Sequence, residues 1–136
     1  MSFIRWNNSF RIGVEEIDNQ HQSLLGIIND LVDSVEKGED DDILGEIIGR
    51  LFDYTLLHFN TEERIFALIN FPDAEHHKQE HAEFIEKISQ FKDDFLDDRL
   101  DLPLGMINFL CNWLQNHIKK NDMKIGEYMN NNRLTY

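Results

Sequence analysis

Residues 56–66 read LLHFNTEERIF, and this stretch decides the fold because it places two polar side chains on the apolar side of a helix. The apolar residues around the pair keep helical spacing: Leu44, Ile47, Ile48 and Leu51 before it, and Ile65, Phe66 and Ile69 after it. Side chains four residues apart on a helix lie on one face, about 6 Å apart along its axis. His58 and Glu62 are therefore predicted to face inward and to reach one common point.

Length and composition predict a single domain over residues 1–136 that is helical, cytoplasmic and not exported. The 136 residues are enough for one core, and the first residues, MSFIRWNNSF, lack the continuous apolar run of a secretory signal. The single cysteine, Cys111, excludes an internal disulfide and a multi-thiolate metal site. Any bound metal must therefore be held by nitrogen and oxygen atoms.

The charge of the chain argues against nucleic acid and membranes as partners. Twenty-six acidic and 13 basic residues give a formal net charge of −13, which repels phosphate backbones and anionic lipid surfaces. This charge is typical of a well-solvated surface, and a docking face for a basic partner is the alternative.

The spacing of apolar residues predicts four helices after an N-terminal arm. Residues 1–17 lack helical period and are expected to form an extended arm, whereas residues 18–136 form the bundle and a C-terminal tail. Asp18 is the predicted N-cap of the first helix, and Gly38 ends it. Turns are predicted at 38–42, around Pro72 and at 97–103. Short connections favour an antiparallel, up-down-up-down four-helix bundle in the all-α class.

Every predicted helix carries a histidine on its apolar stripe. One such histidine is most often an ordinary core or surface residue, but five on inward positions are hard to explain separately. They lie near the start of the first and third helices and late in the second and fourth, which is the same end of an up-down-up-down bundle. The inward polar residues are His21, His58, Glu62, His77, His81 and His117.

Two residues test the register of this cluster. Asp122 lies five residues after His117, about 140° further round an ideal α-helix. It can join the cluster only through a distorted last turn or an oblique approach. His76 lies about 100° from His77 and is predicted to pair with Glu80 on the outside.

Five imidazoles and two carboxylates exceed the ligands of one tetrahedral zinc ion, so two ions are the economical solution. With Glu62 and Asp122 as bridges, three histidines on one ion and two on the other leave an open position. Imidazole and carboxylate ligands with an open position are typical of iron and dioxygen. Neutral ligands stabilise high-valent iron less than carboxylate-rich sites do, which favours binding dioxygen over cleaving it.

The motifs, taken together, resemble those of the hemerythrin family, specifically the single-domain bacteriohemerythrins. The resemblance lies in a histidine followed by HFNTE, HKQEH and HIKKND, and in the stretch RWNNSFRIGVEEIDNQHQSL, and it covers Trp6 to Asp122. The combined pattern is specific, although each piece alone is weak. The tail from residue 123 to 136 has no motif.

The resemblance implies a di-iron centre with dioxygen as its ligand. His77, His81 and His117 would bind one iron and His21 and His58 the other, with Glu62, Asp122 and a solvent-derived oxo or hydroxo group as bridges. The residues implied for the dioxygen pocket are Leu24, Phe59, Trp113, Leu114 and Ile118. Ordinary core packing is the alternative for these five.

We expect a non-enzymatic protein that carries, stores or delivers dioxygen, because no titratable residue of the motif is left over as a general acid. The alternatives are an enzyme of this scaffold that acts on nitric oxide or peroxide or donates iron for repair, a sensor working with a separate partner, and a plain interaction bundle. A partner that consumes oxygen or donates electrons is compatible with carriage, but its identity does not follow from the sequence.

Overall fold

A computed structural model describes residues 5–96 and 102–134 of the chain. Within these residues all regular structure is helical: α1 Glu15–Glu36, α2 Asp41–Ile69, α3 Ala74–Leu96, α4 Leu102–Asn116 and α5 Met123–Asn131, with a 3-10 turn at Asn8–Phe10 and a π-helical turn at His117–Asp122. Helix α1 packs on α2, α2 on α3, α3 on α4 and α4 on α1. The prediction of an all-α four-helix bundle is confirmed. Residues 97–101 of the predicted last turn lie outside the described ranges.

The start of α1 differs from the prediction. Asp18 is not the N-cap, because the helix begins three residues earlier, at Glu15, after a Val14 that makes no side-chain cap. The Asp18 carboxylate instead accepts hydrogen bonds from the backbone N–H groups of Ile12 (2.8 Å) and Gly13 (3.2 Å). A buried acidic side chain thus fastens the N-terminal arm to the first turn of the bundle.

The ends of α2 follow the predicted capping chemistry. The Asp40 side chain accepts a hydrogen bond of 3.1 Å from the backbone N–H of Ile43, so the acidic turn does cap the second helix. At the other end Asn70 adopts a left-handed conformation with φ 51°, and its N–H donates to the carbonyl of Phe66. Pro72 follows, and α3 begins at Ala74.

The bundle interior is apolar away from the inward polar cluster. Its core includes Ile28, Leu31, Leu51, Ile65, Ile88 and Leu110, each with at most 1% of its surface exposed. Burying one such side chain contributes about 1.5 to 3 kcal/mol. This packing holds the four helices at fixed positions around the cluster.

The N-terminal arm precedes α1 and packs on the bundle. It contains the turn Asn8–Phe10 and buries the side chains of Phe10, Ile12 and Val14. The ring of Trp6 stacks on that of Phe10 with centroids 5.6 Å apart. The ammonium group of Lys119, in the π-helical turn, lies 4.7 Å from the centroid of the Phe10 ring. The arm therefore packs on the segment that carries Asp122.

The tail beyond Asp122, for which the sequence offered no role, forms α5 and covers the arm. A Cβ atom built on Gly126 would lie 1.8 Å from the backbone oxygen of Ile12, so the helix and arm approach too closely for any other residue. Ile125 and Met129 are buried. The Tyr128 hydroxyl lies 3.4 Å from the carbonyl oxygen of Ile69, to which it donates a hydrogen bond.

No helix in the described ranges combines the length and the apolar character needed to cross a membrane.

Candidate metal centre

The structure buries all seven side chains that the sequence predicts as metal ligands and brings them together inside the bundle. Each has at most 2% of its surface exposed. The residues are His21 from α1, His58 and Glu62 from α2, His77 and His81 from α3, and His117 and Asp122 from the turn after α4. Their inward orientation and shared level follow the prediction, while their role as ligands stays a prediction.

The two carboxylate oxygens of Glu62 face different histidines. Atom Oε1 lies 2.8 Å from Nε2 of His58 and 3.5 Å from Nε2 of His21. Atom Oε2 lies 2.9 Å from Nε2 of His81 and 3.8 Å from Nε2 of His117. One carboxylate thus stands between two groups of imidazoles.

Asp122 repeats this division from the opposite side. Its Oδ2 lies 2.8 Å from Nε2 of His21, whereas its Oδ1 lies 2.9 Å from Nε2 of His117 and 3.8 Å from Nε2 of His77. The two carboxylates therefore separate a two-histidine side, His21 and His58, from a three-histidine side. Each side receives one oxygen from Glu62 and one from Asp122.

The distorted turn, one of the two routes predicted for Asp122, is the one observed. Residues His117–Asp122 form a π-helical turn, in which backbone hydrogen bonds join residues five positions apart. A residue five positions further on returns to nearly the same face, unlike in an α-helix. Single π-helical turns of this kind often occur at functional sites.

Eight buried nitrogen and oxygen atoms in this cluster make no hydrogen bond among the described residues, although some of them lie as little as 2.8 Å apart as ion pairs. They belong to His21, His58, Glu62, His117 and Asp122. A buried polar atom without a partner costs about 1 to 3 kcal/mol, so this many in one place requires another ligand. Metal ions would engage these lone pairs, and a set of nitrogen and oxygen donors without sulfur suits iron among other first-row metals.

Two subsets of these side chains have ligand atoms within 4.8 Å of one another. One consists of His21, His58, Glu62 and Asp122, and the other of Glu62, His81 and His117. His77 belongs to neither subset, and its Nε2 atom lies 3.8 Å from Oδ1 of Asp122 on the three-histidine side. The donor set therefore fits two cations better than one.

Charge interactions within the cluster are strong. Burial lowers the pKa of His21, but the nearby carboxylates of Asp122 and Glu62 outweigh it and raise that pKa to about 8. Burial likewise opposes protonation of His117, but Asp122 raises its pKa well above the usual value. Burial lowers the pKa of His58, whose ring centroid lies 4.6 Å from that of His21. Burial raises the pKa of Glu62, but the imidazoles hold it well below the usual value.

The raised pKa values of His21 and His117 and the lowered pKa of Glu62 have one cause, which is attraction between the buried carboxylates and positive charge on the imidazoles. Metal ligation requires neutral imidazoles, and the carboxylates that favour a proton on His21 and His117 would equally favour a bound cation in its place. The cluster is thus chemically suited to exchange protons for metal ions.

Aromatic rings pack directly on two of the candidate ligands. The ring of Phe59 stacks on that of His81 with centroids 3.8 Å apart, and the ring of Trp113 stacks on that of His117 at 4.3 Å. Phe59 is buried, whereas Trp113 is only partly buried. The other three residues predicted for the dioxygen pocket, Leu24, Leu114 and Ile118, are each 1% exposed. Their burial is compatible with core packing as well as with a pocket.

His76 lies outside the cluster, as predicted. More than half of its side chain is exposed, and its Nε2 lies 2.8 Å from Oε1 of Glu80. This places the third helix in the predicted register, with His77 and His81 inward.

Sequence reasoning missed the polar side chains that contact the Nδ1 atoms of three of the histidines. Gln20 contacts His58, Glu63 contacts His81 and Glu80 contacts His117, in each case at the nitrogen that faces away from the centre. Each of these residues directly adjoins a member of the cluster in the sequence, which was the available signal. The predicted pairing of Glu80 with His76 is observed, and Glu80 also contacts His117.

The fold and the cluster together define a four-helix bundle with a buried site able to hold metal ions. Residues 12–128 match the family model of the hemerythrin HHE cation binding domain, and the chain belongs to the hemerythrin family.

Relatives from distant organisms agree with this assignment. Bacteriohemerythrin of Pseudomonas aeruginosa is 32% identical over 122 residues, which span 90% of this chain and 78% of the relative. The hemerythrin-like protein of Naegleria gruberi is 34% identical over 122 residues, spanning 88% of this chain and 87% of the relative. A crystal structure of wild-type hemerythrin matches with a TM-score of 0.86 at 26% identity, covering 93% of this chain and 97% of that one.

Proposed function

We propose that this chain is a non-haem di-iron protein that binds dioxygen reversibly and carries, stores or delivers it. The observation that supports the proposal most strongly is the division made by Glu62 and Asp122. Each carboxylate directs one oxygen towards the two-histidine side and the other towards the three-histidine side. This is the arrangement that two bridging carboxylates require.

In this proposal His77, His81 and His117 hold one iron, and His21 and His58 hold the other. Glu62 and Asp122 would be shared between the two ions, together with a solvent-derived oxo or hydroxo group. A ferrous pair so held would provide two electrons and, on the two-histidine side, an open position for dioxygen. The name bacteriohemerythrin, borne by the Pseudomonas aeruginosa relative, and the cation binding named for the family support this choice.

The apolar side chains have a separate role in the proposal. Leu24, Phe59, Trp113, Leu114 and Ile118 would line the space in which dioxygen binds. Apart from the indole N–H of Trp113, these side chains carry no hydrogen-bond donor. By excluding water they would slow the loss of a reduced oxygen species to solvent, which favours reversible binding over catalysis.

A cytoplasmic location and an unidentified partner that consumes oxygen or donates electrons complete the proposal. The single cysteine is compatible with a reducing compartment. The net charge of −13 disfavours nucleic acid as a partner.

An absorption cycle tests this function. The purified chain is loaded with ferrous iron without oxygen, exposed to air and then deoxygenated, with iron content measured throughout. We expect the reduced protein to be colourless, to gain colour in air and to bleach again when oxygen is removed. Colour that does not reverse, together with rapid turnover of peroxide or nitric oxide, would instead support an enzyme. A folded chain that takes up no iron would contradict both.

A further inference from the structure

The two sides of the centre differ in the groups that contact the outward-facing nitrogen of each histidine. On the three-histidine side two of these groups are glutamate carboxylates. The Nδ1–H of His81 donates to Oε2 of Glu63 over 3.2 Å, and Nδ1 of His117 lies 3.4 Å from Oε2 of Glu80. The third histidine, His77, has its Nδ1 3.3 Å from the backbone oxygen of Asp73 and 3.5 Å from its carboxylate.

On the two-histidine side the corresponding contact is neutral. The Nδ1–H of His58 donates to the amide oxygen of Gln20 over 2.9 Å. The amide nitrogen of Gln20 in turn donates to the hydroxyl of Thr61 over 3.0 Å, and that hydroxyl donates to the carbonyl of Leu57 over 3.1 Å. This chain of hydrogen bonds fixes which end of the Gln20 amide faces the imidazole. The Nδ1 atom of His21 has no hydrogen-bond partner in the part of the chain that the structure describes, and the Nδ1 atom of His117 makes an ion-pair contact with Glu80 but no hydrogen bond.

A carboxylate that accepts a hydrogen bond from a ligand imidazole makes the other ring nitrogen a stronger metal ligand, and an amide does so less. Carboxylates near one ion also attract it directly, although part of this attraction is screened where they reach solvent. Glu63 and Glu80 are 34% and 22% exposed, so salt should weaken the direct attraction of both carboxylates, whereas the hydrogen bond between His81 and Glu63 should persist.

We infer that Glu63 and Glu80 make the three-histidine side the tighter of two unequal metal positions, and that Gln20 keeps the two-histidine side weaker. The three residues are positioning residues, since they contact the histidines and not the ions. Metal ions then load in order, with the three-histidine side first. The two-histidine side, which is proposed to bind dioxygen, is then also the side that holds its ion less tightly.

Unequal loading presupposes the two-ion centre proposed above, but it does not require dioxygen binding. Zinc is therefore the better probe, because it has no redox chemistry and its affinity can be measured without oxygen. Competition titrations of the full metal-free chain with Zn²⁺ and a chromophoric chelator should resolve two binding steps in the unmodified protein.

The variants Glu63→Gln and Glu80→Gln, combined, should weaken the tighter step about 10- to 100-fold and change the weaker step much less. Gln20→Glu should do the opposite and strengthen the weaker step by about tenfold. This gain is informative because misfolding does not increase affinity. Glu83→Gln is the matched control. Glu83 is exposed and lies on α3 beside the same groove as Glu80, and its substitution removes the same charge.

Equal changes in both steps, no change in the double variant, or a strengthened tighter step in Gln20→Glu would overturn the inference. An effect of Glu83→Gln as large as that of the double variant would do so too, because surface charge alone would then explain it. If zinc binds in two unequal steps that respond as expected while the air cycle fails, the inference stands and the dioxygen function falls. If two ions bind but the variants change nothing, only the inference falls.

Discussion

The Nε2 atom of His117 lies 2.9 Å from Oδ1 of Asp122, although the two residues are five apart on one helical segment. In an α-helix this spacing would point the side chains about 140° apart. The π-helical turn over residues 117–122 reduces that difference and brings the carboxylate close to His21 of α1 and His77 of α3. The fourth helix is thus distorted at the position where the candidate metal centre needs a bridging group.

Replacing Asp122 by asparagine should reduce iron binding while the helices remain. The side chain keeps its shape, but it loses the charge and one of the two oxygens that face the two sides of the cluster. We expect the variant to lose one or both ions, measured as iron per chain after desalting, with unchanged helix content by circular dichroism. Glu127→Gln, an exposed change of the same charge on α5, should retain its iron. Full iron content in Asp122→Asn would remove Asp122 from the bridge.

The adjacent histidines 76 and 77 provide a matched pair. His77→Ala should lower the iron content because its imidazole faces the three-histidine side, and His117→Ala should do the same. His76→Ala removes a surface imidazole that contacts Glu80, and it should leave iron content unchanged. Equal iron loss in the His76 and His77 variants would mean that the register of α3 is wrong.

Leu114 tests the proposed dioxygen pocket. Leu114→Ala should keep its iron but shorten the lifetime of the oxygenated form, because water would enter the space that the leucine fills. The truncation should also lower the free energy of unfolding by about 2 to 5 kcal/mol. Leu110→Ala is the control, since Leu110 is equally buried one turn earlier and outside the proposed pocket.

Stopped-flow mixing with air followed by the decay of absorbance measures the two lifetimes. The Leu110 variant should lose comparable stability without faster decay. A lifetime in Leu114→Ala equal to that of the unmodified protein would place Leu114 in the core only.

Alanine substitutions at two glycines should change the free energy of unfolding in opposite directions. At Gly126 a Cβ would collide with the backbone oxygen of Ile12, so Gly126→Ala should displace the arm and destabilise the fold by about 1 to 3 kcal/mol. Gly49, within α2, has open space around the Cβ position, and Gly49→Ala should stabilise the fold by about 0.5 to 1 kcal/mol. Urea unfolding of both variants in the same metal state measures the difference. Equal effects would show that α5 does not pack closely on the arm.

The sequence predicted the helices and the inward histidines because both depend on spacing along one helix. Apolar residues at helical intervals specify which face is buried, and His58 and Glu62 share that face with their apolar neighbours. The acidic turn before α2 was equally predictable, since the Asp40 cap contacts a residue only three positions away. These features need no knowledge of where the other helices lie.

The features that sequence reasoning missed depend on contacts that the periodicity of a single helix does not specify. Asp18 resembled an N-cap, but its real partners, the N–H groups of Ile12 and Gly13, are set by how the arm folds back. The contact of Gly126 with Ile12 joins the two ends of the chain. The contact between Glu80 and His117 depends on the pairing of α3 with α4. Local periodicity carries no information on such pairings.

An iron-edge anomalous diffraction map of crystals grown from the iron-loaded chain tests the central claim most directly. We expect two iron peaks between Glu62 and Asp122, one against His77, His81 and His117 and the other against His21 and His58. A single peak, or iron bound elsewhere while these side chains only contact one another, would contradict the proposed centre.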